Sequence, residues 1–551
     1  MMPSIRKKVA GFIRQLSVNN QAENVASDQC DSSGSSSGCF IQRYLSGHDV
    51  RQNEPVILHG RNPHELPKRC LGTFSLGTQS VFAALTGPDG GLTTVNRRQR
   101  HLSTSDPDVD YIDILEQQAE RESNADMSLS ATSKHEEIAG IPDWYCPHTD
   151  AYGAATTLYE KHPITNENAG NPIADCFAVV AREDSAILAL ADGVNWGEKA
   201  CVAARSAIHG CVEYLNKALF SPAVSASAIT NTTEVFVALL RSFHAAHSLI
   251  LQEEGTLTTL TAAVVLPLVA QDSYVACVCN VGDSLAYVYS TQHGVREITK
   301  GSHDIHCMRD MRDALGALGP VDGQNPELNN LTCSMTEVEK GDIVFLTSDG
   351  VSDNFDPVVG KFAVLPPAQQ NENSSVKTAT NPLKMLTHNS RLSASNISKL
   401  PVSSEVVPSS LPTVEAYQRH ELSLLRMDDL LKNGVSGDGP PCEDAKTLCE
   451  MLLDFAVRLT AAKRHILEDP DLYYTVSDNS DQQITELSRA EQRTRRKKVC
   501  EKLAMVPGKL DHAAVVAYKV GIRKKRNVEA QSKSTKNGDS VSDDLLLETV
   551  L

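Results

Sequence analysis

Polar and apolar positions divide this chain into unequal stretches. Up to about residue 145 they show little periodicity, and the run Asp31-Ser-Ser-Gly-Ser-Ser-Ser-Gly38 has almost nothing to bury. Chain entropy opposes order there. Ser103 to Lys134 is polar and acid-rich. Between these two, Val56 to Val95 carries enough apolar residues for a short element packing on a larger domain.

From about Tyr152 the pattern changes. Apolar runs of strand length appear at Cys176–Val180, Ala186–Ala191, Thr261–Leu266, Tyr274–Val281 and Ile343–Thr347. Two helical stretches punctuate them: the Ala-rich Lys199–Leu219, and Glu234–Leu251, where Phe236, Leu240, Phe243 and Ile250 share a face. Ser, Asn and scattered Pro dominate Pro366–Pro412, a composition that supports no core. Helical spacing returns over Glu443–Arg464 with Leu448, Leu452, Phe455 and Leu459, and a last strand follows over Ala513–Val520. The expected organisation is a mostly disordered region 1–145, a folded domain 146–520 with a disordered insertion near 366–412, and a flexible tail 521–551.

Composition narrows the class. The chain has 551 residues, 41% of them hydrophobic, with a formal charge of −17. That charge argues against a general nucleic-acid binder, which needs a basic face. Fourteen cysteines include no CxxC pair and often sit in apolar runs, as Cys201, Cys211, Cys277 and Cys279 do. Buried free thiols in a reducing compartment are expected. The basic stretch Met1–Leu16 is broken by Arg14, and the longest uncharged apolar run, Leu260–Ala270, contains Pro267 and is too short to span a bilayer. The expectation is a cytoplasmic protein without stable membrane insertion. A nuclear location would follow if Arg523-Lys-Lys-Arg526 or Arg493-Thr-Arg-Arg-Lys-Lys498 served as an import signal.

One motif repeats: an apolar strand runs into an aspartate beside glycine. It occurs at Ala186–Ala191 before Asp192-Gly193, at Val278-Cys-Asn-Val-Gly-Asp283, and at Val344-Phe-Leu-Thr-Ser-Asp349-Gly350. Asp511 is the mirror case, preceding its strand. In an antiparallel sheet the end of one strand lies beside the start of its neighbour, so all four carboxylates can gather at one edge. Clustered carboxylates repel unless cations neutralise them. An oxygen-only set suits Mg²⁺ or Mn²⁺, and two such ions about 4 Å apart activate water and clamp a phosphoryl group. Asp-Gly also caps turns. For any single instance that reading is the better one, and for four together it weakens.

The order and flanks of these segments resemble the type-2C (PPM) metal-dependent protein serine/threonine phosphatases. Ile187-Leu-Ala-Leu-Ala-Asp192-Gly193 is similar to their first DG motif and Asn280-Val-Gly-Asp283-Ser284 to GDSR. Leu346-Thr-Ser-Asp349-Gly350-Val-Ser-Asp353 is similar to SDGxxD, and Asp511-His-Ala-Ala-Val-Val to the closing DN motif. Arg312-Asp-Ala-Leu-Gly316 fits the R-A-L-G segment, and Leu260-Thr261-Ala262 loosely fits a strand start. The resemblance implies a four-layer α-β-β-α sandwich of two antiparallel sheets flanked by antiparallel helices. It also implies hydrolysis of phosphoserine and phosphothreonine in proteins by a metal-bound hydroxide. Asp192 would be the bridging ligand with the Gly193 carbonyl beside it, and Asp349 and Asp511 would complete one ion's shell. Asp283 and Asp353 would join Asp349 around a weaker third ion that some members use. Asp175 aligns with the Asp of an E-D pair that holds a metal-bound water.

Three departures oppose full activity. The Glu of that pair is Ala174, the His after the first DG is Val194, and Gly170 stands where an Arg grips phosphate. Loss of a general acid typically costs about 10²- to 10⁴-fold in rate. Asn195 and Arg182 are candidate substitutes. The competing class is a catalytically weak or inactive scaffold that binds phosphoproteins or partners. His244 with His247, and His303 with His306 around Asp304 beside Cys307, have zinc-like spacing, although ordinary histidines explain both. The terminal Glu548-Thr549-Val550-Leu551 matches peptides captured by PDZ domains.

Overall fold

The protein is described by a computed structural model covering residues 40–47, 54–95, 137–222, 229–270, 273–307, 314–366, 411–435, 437, 439–476 and 484–521. Residues 367–410 of the predicted insertion, the PDZ-type terminus, the basic stretch at 1–16, Arg312 and Arg523–Arg526 lie outside these residues. Two antiparallel sheets pack face to face. The larger has the order β1 (Leu58–Gly60), β13 (Thr332–Glu339), β8 (Ser273–Val281), β7 (Leu260–Pro267), β6 (Ala186–Ala191), β5 (Cys176–Arg182), β2 (Val81–Gly87), β3 (Tyr145–Cys146). The smaller runs β10 (Gly294–Glu297), β9 (Leu285–Ser290), β14 (Ile343–Thr347), β17 (His512–Lys519), β4 (Ala151–Thr157).

Period-two alternation sorts the side chains into layers. Phe177, Val179, Leu188, Leu190, Val344, Leu346 and Val516 point between the sheets and are buried there. Their strand neighbours point outward against helices. Val180, Ile187, Val264 and Cys277 meet α2 (Glu198–Phe220) and α3 (Thr232–Gln252). Phe345, Val515 and Tyr287 meet α4 (Asp349–Phe355), α5 (Ala416–Asn433) and α6 (Ala445–Leu467). Both faces of each sheet are therefore covered, which explains why these strands read as unbroken apolar runs. The predicted four-layer sandwich is the observed fold.

The predicted strands and helices sit within a few residues of their observed bounds, while the boundary at 146 moves. β2 adds to the large sheet beside β5 in register Leu85↔Val179, with β3 beyond it, and β1 extends the far edge on β13. Residues 54–95 and 137–145 thus belong to the domain, with Ala83, Ala84 and Leu92 buried. The apolar residues of Val56–Val95 thus pack on the larger domain as expected, and as strands of its own sheet.

Among the described residues one helix, α3, is long and apolar enough to cross a membrane. Its Phe236, Leu239, Phe243 and Ile250 are buried against the sheet instead. Every cysteine among the described residues is free, and those of α2, β5 and β8 are buried. A seventh helix, α7 (Arg489–Met505), carries the basic run 493–498, where Arg496 is held by Glu160 at 2.8 Å and the Tyr473 hydroxyl at 2.6 Å.

Candidate metal centre

Register explains why the aspartates meet. Cys176 at the start of β5 pairs with Ala191 at the end of β6, so Asp175 and Asp192 are the next residues out on the same end. Thr347 at the end of β14 pairs with both Leu285 and Val515. Asp349, Asp283 and Asp511 therefore emerge together from the facing sheet. Gly350 makes the approach possible, because a Cβ there would lie 1.7 Å from the His512 carbonyl oxygen. Asp353 follows one turn later on α4.

The structure thus brings together Asp175, Asp192, Gly193, Asp283, Asp349, Asp353 and Asp511. Asp175, Asp283, Asp349 and Asp353 are buried, and Asp192 and Asp511 are partly accessible. Burial, then Asp175, Asp349, Asp511 and Asp283, push the Asp192 carboxyl well above the usual carboxylate range. Asp349 is raised in the same way by burial; Lys509 opposes the shift, and Asp283, Asp511 and Asp353 add to it. Burial also lifts Asp175 to about 6, against the pull of His512 and Ser348.

Lys509 went unread in the sequence, and it changes the site. Its Nζ is bonded to Asp349 Oδ2, lies 2.9 Å from Asp353 Oδ2 and 3.1 Å from Asp511 Oδ2. Burial disfavours the ammonium, yet Asp353, Asp349 and Asp511 raise its pKa far above the ordinary lysine value. A permanent cation therefore stands among three of the expected ligands. Its signal was available, two residues before Asp511, but a lysine in a loop carries no pattern that says where its flexible stem will reach.

The chemistry of the remaining donors fits a divalent cation. Both buried oxygens of Asp175 accept no hydrogen bond. Lys509 supplies one positive charge against six carboxylates, and the donors are all oxygen, as Mg²⁺ and Mn²⁺ prefer. Asp175, Asp192 and Gly193 form the half of the site that Lys509 does not contact.

The neighbouring wall was also missed. Trp196 Nε1 donates to the Tyr159 hydroxyl at 3.0 Å, which donates to Asp511 Oδ1 at 3.2 Å. The His512 ring accepts at Nδ1 from Ala174 N–H at 3.4 Å, and its Nε2–H donates to the Gly170 carbonyl at 2.7 Å. Gly170 has φ +84°, and a Cβ would lie 2.6 Å from the Tyr159 ring and 3.0 Å from His512 Nε2. An arginine at this position is incompatible with the packing around it.

Of the two candidate substitutes, Arg182 does not replace that arginine. Arg182 closes β5 seven residues beyond Asp175, roughly 23 Å along an extended strand. There it bonds Asn216 Oδ1 at 2.5 Å and lies 4.0 Å over the Phe220 ring. Asn195 is exposed, in a left-handed turn at φ +71°. Histidines of the two zinc-like pairs are engaged by other groups. His247 bonds the Gln324 carbonyl at 2.9 Å and accepts from Gly319 N–H at 3.1 Å. His303 turns to Glu297, whereas His306 lies against Tyr417.

The chain is similar to several known proteins. A family model described as protein phosphatase 2C matches residues 165–380. A PP2C-like domain-containing protein of Drosophila melanogaster is 38% identical, with 98% of each chain covered. Among solved structures, the phosphatase domain of SpoIIE from Bacillus subtilis is 11% identical, covering 69% of this chain and 97% of that one, with a TM-score of 0.26. The serine/threonine phosphatase Stp1 from Staphylococcus aureus is 15% identical, covering 41% and 82%, with a TM-score of 0.24. Near-complete alignment with the Drosophila protein, together with the ordered aspartate motifs on two facing sheets, places this chain in the PP2C-like (PPM) phosphatase-domain family.

Proposed function

We propose that the domain is a slow, metal-dependent protein phosphatase acting on phosphoserine and phosphothreonine. The observation that carries this reading is the convergence of six aspartates from both sheets at one edge. A buried cluster of that charge is not tolerated without cations. Divalent ions bound there supply charge to neutralise a phosphoryl group and to activate water.

The chain's own residues then act as holders and positioners. Asp192 is at the electrostatic centre, in contact with the fields of Asp175, Asp349, Asp511 and Asp283. Lys509 ties Asp349, Asp353 and Asp511 together and removes part of the need for external charge. Tyr159 orients Asp511 through its hydroxyl. Val194 offers no proton to a leaving alcohol, and Gly170 offers no guanidinium to phosphate, so turnover is slow. Without a Glu at Ala174 the site is less suited to the near-ideal octahedron of Mg²⁺ than to Mn²⁺.

The silent scaffold is the second reading, favoured by the built-in packing at Gly170 and by Lys509 standing among the ligands. Purified full-length protein assayed with a phosphothreonine peptide and p-nitrophenyl phosphate separates the two. The expected result is Mn²⁺-supported hydrolysis, weaker with Mg²⁺ and lost in Asp349→Asn. Absence of Mn²⁺ binding by calorimetry in the millimolar range, with no turnover, assigns the domain to the scaffold class.

A further inference from the structure

A second cluster of ligating side chains lies on the edge strand of the smaller sheet. Glu297 ends β10 and is buried. Its Oε1 lies 2.8 Å from His303 Nε2 and accepts from the Thr299 hydroxyl at 2.9 Å. Its Oε2 lies 3.5 Å from His420 Nδ1. Thr299 and His303 belong to the turn after β10, and His420 comes from the first turns of α5. The two imidazoles meet edge to face with centroids 5.8 Å apart. One ligand atom from each of the three side chains lies within 4.8 Å of the others.

A four-coordinate Zn²⁺ with nitrogen and oxygen donors at about 2.0–2.2 Å holds those donors about 3.3 Å apart. His303 lies 2.8 Å from Oε1 and His420 3.5 Å from Oε2, so a turn of the carboxylate is needed to present one oxygen to both imidazoles at that spacing. The histidine side chains keep 17% and 14% exposure while that of Glu297 keeps 1%. An ion can therefore enter from the imidazole side and keep water as a fourth ligand. Burial works against charge on Glu297, yet His303 and His420 hold its pKa down to about 2, so the carboxylate is ionised. The Thr299 hydroxyl fixes its orientation from behind, as outer partners of metal-bound carboxylates do.

We propose that Glu297, His303 and His420 form a binding site for a first-row transition cation, with Zn²⁺ as the expected ion. Two imidazoles and one carboxylate suit zinc, whereas the oxygen-only aspartate cluster suits Mg²⁺ or Mn²⁺. The site joins the turn after β10 to α5, elements that are adjacent only in the folded chain. Binding releases imidazole protons to solvent and stabilises the fold, because the unfolded chain does not preassemble the ligands.

The test titrates chelator-treated full-length protein with Zn²⁺ by calorimetry and with Co²⁺ by visible absorption. The expected result is one Zn²⁺ site retained in Asp349→Asn and weakened in His303→Gln and His420→Gln. The loss should reach at least about a hundred-fold, the upper end of what removing even an outer-shell partner costs. Co²⁺ should give the intense visible band of four-coordinate nitrogen and oxygen ligation in the wild type. Unchanged Zn²⁺ affinity in both histidine variants overturns the proposal, as does Zn²⁺ binding that disappears in Asp349→Asn. Should a histidine variant fail to fold, the wild-type Co²⁺ spectrum decides, and a weak six-coordinate band or none overturns it.

Discussion

At one edge of the sandwich six carboxylates gather and three of them share the ammonium of Lys509, while on β10 a single carboxylate lies between two imidazoles and a hydroxyl. Both are charge clusters largely withdrawn from water, and both meet the cost of that burial in different ways. Glu297 is matched by partners the chain itself supplies, so its pKa falls despite burial. Asp192 lies among other carboxylates, and Asp349 shares Lys509 with Asp353 and Asp511, so burial and mutual repulsion raise both pKa values. The direction of the shift tells the two apart: the Glu297 cluster carries its charge on imidazole protons that a Zn²⁺ ion would replace, whereas the aspartate cluster is left with excess charge and requires something from solution.

Lys509→Met is the change expected to have the largest effect on this contrast. Removing one partner of a buried ion-pair network typically costs about 3–5 kcal/mol. The Lys509 side chain keeps 21% exposure, which places the expected loss near the lower end, about 3 kcal/mol. Urea denaturation of the metal-free protein measures it, and Mn²⁺ should restore more stability to the variant than to the wild type. An unchanged midpoint without metal means Lys509 does not hold the three aspartates.

Glu297→Gln should cost less, about 2 kcal/mol, because the amide oxygen still accepts from Thr299 while the charged contacts to histidine are lost. Mn²⁺ should not restore this loss. If it does, the two clusters are coupled and the distinction between them fails.

The smallest effect expected is on the aspartate side, where Ala174→Glu returns the carboxylate of the E-D pair. Calorimetry should show Mn²⁺ binding tightened about ten-fold, equivalent to roughly 1.4 kcal/mol. Ala174 is fully buried, so a loss of folding in the variant would show instead that the surrounding packing has closed over the position.

The sequence alone determined the strands and the meeting of their aspartates at one edge, and its resemblance to the type-2C phosphatases implied the sandwich. Strand periodicity marks β5, β6, β7, β8, β14 and β17, and every expected ligand except Asp353 sits within two residues of a strand end, where antiparallel pairing brings ends together. Only tertiary structure decided which partners each charge has. Lys509 reaches Asp349 and Asp353, more than 150 residues away in the chain, through a flexible stem, and His420 meets Glu297 because α5 docks beside β10. The pairing of β2 with β5 and the exclusion of an arginine at Gly170 were likewise matters of packing. Local periodicity reports which face a residue turns inward. It carries no record of long-range contacts, which arise from how whole layers stack.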